Sequence, residues 1–318
     1  MIIDLPNTTV PDISKTLVDI RDEGGAVALG RVLTLIIVTT PEQEEAAIDA
    51  ANAASREHPM RVLVLSSTPG TVESGPGRLD AQIRVGGDAG ASEVIVIHGQ
   101  GEAAQDQESI VTGLLLPDAP VVAWWSGPTP AKVSDSPIGR IATRRITDVA
   151  TSGDPWPALE SLAANLAPGD TDLAWTRTTL WRSQLAAVLD QPPYEPVTSV
   201  VVTGTLTHAS VILIAAWLAQ ALEAPVTIVE PGQDSPGFGI DSVVLTRASG
   251  DTSLVRLTKQ SARLTQPAQP PHEITIPVRT NRECLAEELR RLDPDEVFQR
   301  VVTSGLMLVD AATRTVES

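Results

Sequence analysis

Apolar residues fall along this chain in two rhythms. Arg31 to Thr39, Arg61 to Ser66, Glu93 to His98 and Pro120 to Trp125 are short blocks of Val, Ile and Leu with little alternation, the way strands buried on both faces read. Helical stretches separate them. Glu42 to Glu57 is alanine-rich, with Pro41 just before it and acidic residues near its start, where they suit the helix dipole. Glu102 to Leu116 is a second helix, and strand, helix and strand in this order imply βαβ units and a parallel sheet. Leu79 to Val85 alternates instead, which fits an edge or antiparallel strand. Ahead of the first block, a cap at Asp12 or Ser14 opens a short helix through Leu17 and Ile20, stopped by Gly24-Gly25. Pro69 to Gly77 is a Gly/Pro loop.

The pattern changes after Trp125. Trp125-Ser-Gly-Pro-Thr-Pro130 can be only a loop, and Asp135 to Val149 reads as a short helix followed by an extended Arg144-Arg-Ile-Thr-Asp148. Pro155 to Leu166 is a helix. The next helix is capped by Thr171 or Asp172 and aligns Ala174, Trp181, Leu185 and Val188 on one face, leaving Trp175 and Arg182 on another stripe. Three prolines in Gln191-Pro-Pro-Tyr-Glu-Pro196 mark a stiff linker. Beyond it, a strand at Val197 to Thr203, a helix at His208 to Leu222 and a strand at Pro225 to Glu230 form another βαβ unit. A glycine-rich loop follows, at Pro231 to Gly239. Alternating segments at Ser242 to Arg247, Ser253 to Lys259, Ala262 to Leu264 and His272 to Val278 suggest an antiparallel meander, and helices at Arg282 to Leu292 and Pro294 to Gly305 close the chain. The expected fold is α/β: two mixed, largely parallel-sheet domains, residues 1–190 and 197–318, joined by 191–196, the second carrying the meander.

Composition narrows the function. With 40 acidic against 23 basic residues and a net charge of −17, the chain repels a polyphosphate backbone, so neither nucleic acid nor an anionic membrane surface is an expected partner. No apolar run approaches the roughly 20 residues of a membrane span, the N-terminus lacks a basic leader region, and the single Cys284 fits a reducing compartment; a cytoplasmic protein is expected.

Motif by motif, enzymatic chemistry finds little footing. Gly99-Gln-Gly101-Glu-Ala-Ala104 follows a strand and opens a helix like a dinucleotide fingerprint, yet the next strand ends in Ser126 instead of the acidic residue a ribose needs, so a plain strand-to-helix turn is favoured. Thr203-Gly-Thr205 could present backbone N–H groups to an anion but lacks the lysine of a phosphate loop. His58, His98, His208 and His272 have no metal-ligand spacing, no GxSxG nucleophile elbow occurs, and Cys284 has no resolving partner. No cofactor, metal or catalytic residue is expected.

One window stands apart. Of nine aromatics in the chain, Trp124, Trp125, Trp156, Trp175 and Trp181 crowd between Pro120 and Asp190, interleaved with Arg140, Arg144, Arg145, Arg177 and Arg182. Trp and Arg are the usual anchors of protein interfaces; the same tryptophans could equally fill a core built otherwise of small residues. Trp124, Trp125, Arg144, Arg145, Trp175 and Arg182 are the candidate partner-binding residues. The readings of the arginines at 140, 144 and 145 stay open: a solvated face, internal pairs with Asp135, Asp148 and Asp154, a partner contact, or a sugar-phosphate site.

In Gly24-Gly-Ala-Val-Ala-Leu-Gly-Arg-Val-Leu-Thr-Leu35, Pro120-Val-Val-Ala-Trp-Trp-Ser-Gly-Pro128, Arg144-Arg-Ile-Thr-Asp148, Pro168-Gly-Asp-Thr-Asp-Leu-Ala-Trp-Thr-Arg177 and Trp181-Arg182, the chain resembles the actinobacterial OpcA family, the glucose-6-phosphate dehydrogenase assembly proteins. The similarity runs from Ile2 to about Val302 and is densest in the tryptophan window. It implies a non-catalytic protein that binds glucose-6-phosphate dehydrogenase and promotes its assembly or active state in the oxidative pentose phosphate pathway. Cyanobacterial members are linked to thioredoxin through cysteines, a switch that one cysteine cannot form internally.

Overall fold

A computed structural model describes residues 1–23, 30–67, 77–86, 93–104, 106–192, 194–232, 235 and 237–309. The Gly24-Gly25 stop and most of the loop from Pro69 to Gly77 lie outside these residues. The chain divides into two compact units, each assembled from three stretches. The first comprises Met1–Thr147, Ala167–Thr171 and Asn281–Pro294; the second comprises Asp148–Leu166, Asp172–Thr280 and Asp295–Ser318. This division differs from the boundary expected at 191–196, which falls inside the second unit.

The first unit is built on an eight-stranded sheet ordered β1-β4-β5-β3-β2-β6-β7-β8, comprising β1 (Ile2–Leu5), β2 (Leu33–Thr39), β3 (Met60–Ser66), β4 (Arg78–Val85), β5 (Glu93–Gln100), β6 (Val121–Trp125), β7 (Arg144–Thr147) and β8 (Asp170–Asp172). Strands β5, β3, β2, β6 and β7 run parallel, and the apolar runs of the first four are buried on both faces, as their sequence pattern required, while β7 is the extended Arg144–Thr147 segment. Strand β4 is antiparallel to β5, as its alternation suggested, but it is not an edge, because β1 pairs on its far side. The first helix, α1 (Val10–Glu23), starts ahead of the expected cap: Thr9 Oγ1 accepts from the Asp12 N–H at 3.3 Å. Helix α2 (Glu44–Ala54) connects β2 to β3, and where one helix was expected after β5 there is a 3-10 turn at Gly101–Ala104 and then α3 (Gln107–Thr112). Helix α4 (Pro137–Ile141) precedes β7, and α9 (Asn281–Glu288) packs against α2.

In the second unit, α5 (Pro155–Asn165), α6 (Leu173–Thr176), α7 (Thr179–Leu189), α8 (Ala209–Leu222) and α10 (Glu296–Arg300) accompany a six-stranded sheet ordered β10-β9-β11-β12-β13-β14. Its strands are β9 (Ser199–Gly204), β10 (Val226–Val229), β11 (Ile240–Arg247), β12 (Gly250–Arg256), β13 (Ser261–Thr265) and β14 (His272–Thr275). Only β9 and β10, joined through α8, are parallel; the meander supplies the antiparallel remainder, so both units are mixed α/β. Helix α8 is apolar nearly all round and fully buried from Val211 to Ala216, the centre of a core that also takes Val200, Val202, Val243, Leu245 and Leu254 from one face of the sheet.

Candidate functional site

In the first unit the tryptophan window begins on β6, a central strand. Its backbone pairs with β2 on one side and β7 on the other, so Trp124 lies between Ile37 and Ile146. Trp124 and Trp125 point to opposite faces of the sheet, and both are buried, at 1% and 2% exposure. Neither reaches solvent.

The two arginines of β7 are buried as well, and each holds separate pieces of chain together. Arg144 donates through Nη2 to Glu288 Oε2 at 2.5 Å and through Nη1 to the Asp293 carbonyl at 2.7 Å, tying β7 to the stretch that carries α9. The Arg145 guanidinium reaches Asp170, the Ala142 carbonyl at 2.8 Å and the Pro168 carbonyl, while its backbone N–H donates to Gly169 O at 2.9 Å. Asp170 also takes the Ala167 N–H at 2.8 Å. Gly169 is required here: its φ is +93°, and a Cβ would come within 2.5 Å of the Thr143 carbonyl oxygen. Arg140 is the exposed member, paired with Glu108 at 2.7 Å. Of these readings, internal pairing is the one observed, although the acids are Glu108, Glu288 and Asp170 instead of Asp135, Asp148 and Asp154.

In the second unit Asp172 caps α6, accepting from the Ala174 N–H at 2.8 Å and from the Val149 N–H at 3.0 Å. The expected single helix is broken into α6 and α7, because Thr178 Oγ1 and Arg279 Nη1 take the carbonyls of Trp175 and Thr176 at 2.7 and 2.8 Å. Trp175 is 1% exposed; its indole N–H donates to Asp295 Oδ2 at 2.8 Å, its ring meets Phe298 at 5.8 Å, and the Arg182 guanidinium lies 3.6 Å above it. The stripe shared by Trp175 and Arg182 therefore faces inward. Trp181 is buried on the Leu185 face, as expected, and Arg177 binds Asp148 with both Nη atoms, at 2.8 and 2.6 Å.

Five of the six candidate partner-binding residues, Trp124, Trp125, Arg144, Arg145 and Trp175, are thus buried in this structure, and Arg182 is half-buried. Their large flat groups act as core and clamp, the reading in which the window is structural. Two other charged clusters escaped the sequence. Glu93, buried at 2% exposure, is held by Arg31 at 2.5 Å, Arg61 at 2.8 Å and Arg21 at 3.4 Å; burial, partly countered by Glu93, lowers the Arg61 pKa. His98 Nε2 lies 2.9 Å from Glu44 Oε2, and that hydrogen bond raises the histidine pKa. The strand order sets Arg61 opposite Glu93, a pairing that no sequence period discloses.

Beside the fingerprint-like Gly99–Ala104 turn, a Cβ on Gly77 would come within 2.9 Å of the Ala103 nitrogen, and the adjacent cavity, lined by Ser66, Gly99, Ala103 and Gln107 among others, is about 20 Å³, room for one water. Cys284 is buried. Among the described residues no group of three His, Cys, Asp or Glu is arranged to hold a metal ion, and no helix is long and apolar enough to cross a membrane.

Sequence profiles of one family cover most of the chain. The profile described as the glucose-6-phosphate dehydrogenase subunit N-terminal domain matches residues 51–164, and that of the C-terminal domain of the same subunit matches residues 168–302. The chain belongs to the OpcA family. The two OpcA matches adjoin at the 167–170 turn that Arg145 and Asp170 hold. No curated protein matches the chain in sequence. Solved structures similar to it include glucose-6-phosphate 1-dehydrogenase from Mycobacterium avium, 12% identical over 88% of this chain and 91% of that one, with a TM-score of 0.41. Biliverdin reductase from Synechocystis sp. PCC 6803 is 9% identical over 87% and 96%, at 0.38, and an inositol dehydrogenase homolog from Azotobacter vinelandii is 8% identical over 88% and 85%, at 0.40. Likeness at this level has no functional weight.

Proposed function

We propose that this chain is a non-catalytic cytoplasmic subunit that binds glucose-6-phosphate dehydrogenase and promotes its oligomerisation or its active state. The observation that carries this reading is the pair of matches to a dehydrogenase subunit, at 51–164 and 168–302. Such a subunit acts by binding one state of the enzyme better than another, and the two effects are linked: whatever factor it adds to the stability of the active assembly, that assembly adds to its own affinity. The buried Trp/Arg window fits a rigid frame behind a contact surface.

The alternative, a sugar-phosphate site at Arg140, Arg144 and Arg145, loses ground because these guanidinium groups already serve Glu108, Glu288 and Asp170. The test is to mix the purified chain with the cognate dehydrogenase and follow oligomer mass and initial rate together. A mass increase with a changed rate is expected; unchanged mass and rate at micromolar concentrations refute the proposal.

A further inference from the structure

The six-stranded sheet of the second unit has two unlike faces. Along β9, β11, β12 and β13 buried residues alternate with half-buried or exposed ones, and the buried set enters the core around α8. The other set forms the opposite face, half-buried along its centre and exposed at Thr227, Val229, Val255 and Arg263. Its central row, in cross-strand register, is Thr227, Val201, Val244, Ser253 and Thr265. All five are uncharged, and none is buried. The solvated face of an antiparallel sheet is ordinarily polar, and this chain is 20% charged. Yet on this face charge stays off the central row, with Asp251 near the start of β12, Arg263 in the middle of β13 and Glu273 on the edge strand β14, while Val229 and Val255 stand 45% and 39% exposed. Loss of charge from the centre, with a charged rim, is the compositional mark of an interface core.

We infer that this sheet face is the surface on which the dehydrogenase docks, an assignment that rests on the function proposed above. Two observations select the dehydrogenase over a second copy of this chain. Each copy carries −17, so two copies repel, and a neutral patch reduces that repulsion only locally. Six strands about 4.8 Å apart and about five residues deep offer roughly 400 Å² of flat area, about half a standard contact and far below an obligate homodimer. The face also lies wholly within residues 168–302, the part matched as the subunit's C-terminal domain. A flat, β-branched surface suits an equally flat and uncharged partner face laid about 10 Å away, as in stacked sheets.

The test uses the full chain and purified dehydrogenase. Val244→Lys and Ser253→Lys place a charge at the centre of the face, and Ala46→Lys, on the exposed side of α2, is the control. The two sheet variants should bind at least tenfold more weakly while keeping the wild-type circular dichroism spectrum; the control should bind like wild type. Hydrogen exchange on the unmutated chain, which needs no variant to fold, should show slowed amides in β11 and β12 when dehydrogenase is added. Wild-type affinity in both sheet variants, or unchanged exchange in those strands while binding is observed, overturns this surface and leaves the proposed function standing. No binding by the wild-type chain overturns both. Dimers of the chain that dissociate in the variants would assign the face to self-association and overturn the inference.

Discussion

Trp175 separates the two readings of the tryptophan window. As a surface anchor, its replacement by Ala would weaken partner binding and spare the fold; as the structure places it, the fold should suffer first. The buried ring removes on the order of 200 Å² from water, about 5 kcal/mol at about 25 cal/mol per Å², and Trp→Ala changes in cores cost about 3–5 kcal/mol. Asp295 Oδ2 also loses its indole donor and Arg182 the ring beneath it. These losses share one side chain and do not add, so about 4 kcal/mol is expected, equivalent to roughly 8–16 °C in Tm for a domain of roughly 150–250 residues. Trp175→Phe keeps a ring against Phe298 but not the hydrogen bond, for about 2 kcal/mol. Thermal melts by circular dichroism, alongside dehydrogenase affinity, decide the matter. If Trp175→Ala melts within about 2 °C of wild type, under a shift of about 1 kcal/mol, and yet loses affinity, the side chain is a contact and its burial here is not that of the working protein.

Gly169→Ala forces a side chain into the left-handed region against the Thr143 carbonyl, and urea denaturation should show a loss of about 2–4 kcal/mol; an unchanged midpoint would mean the turn has another conformation. Arg145→Lys keeps the charge but cannot serve Asp170, Ala142 O and Pro168 O together, so a loss of about 2 kcal/mol or more should appear in the same assay, and a neutral result would count against the clamp. The His98–Glu44 pair gives a pH signature. The hydrogen bond to Glu44 raises the His98 pKa above its ordinary 6.5, so its contribution is complete below that value and is lost as pH rises through the folded-state pKa. Burial pushes the Glu44 carboxyl up, but its partners together, the His98 hydrogen bond first and then Ser66 and the His98 and Arg84 charges, outweigh it and the net pKa falls below 4.5; that contribution is present above 4.5 and lost as pH falls through the lowered value. The pair therefore stabilises most between these two ordinary values, and His98→Gln should flatten the Tm profile there; an unaltered profile refutes the coupling.

Much of the fold was legible because the central strands announce themselves: Val, Ile and Leu in unbroken blocks have few alternatives to a doubly covered sheet. Strand β1 was missed, since Ile2–Leu5 is short and only half-buried. The break between α6 and α7 was missed because the groups that claim the Trp175 and Thr176 carbonyls include Arg279, 103 residues further on. The candidate site was legible as a cluster but not as a location. Trp and Arg mark interfaces and cores alike, and what turned Trp175 inward, Asp295 and Phe298, lies beyond the reach of any helical period. The motif Pro168-Gly-Asp-Thr-Asp172 has a plain physical meaning in hindsight: a positive-φ glycine, a clamp for Arg145 and a helix cap in one short run.

That each unit draws on three separate stretches of chain bears on how the protein is made. The first unit is incomplete until Asn281–Pro294 arrives, and Arg144 must wait for a carboxylate 144 residues later, on the order of ten seconds at a synthesis rate of about 5–20 residues per second. The second unit would meanwhile be gathering its own strands from the segments in between. The first unit closes only when residues 281–294 are made, and the second only after them, so truncated chains ending before residue 281 should lack Glu288 and the Asp293 carbonyl and leave β7 unclamped.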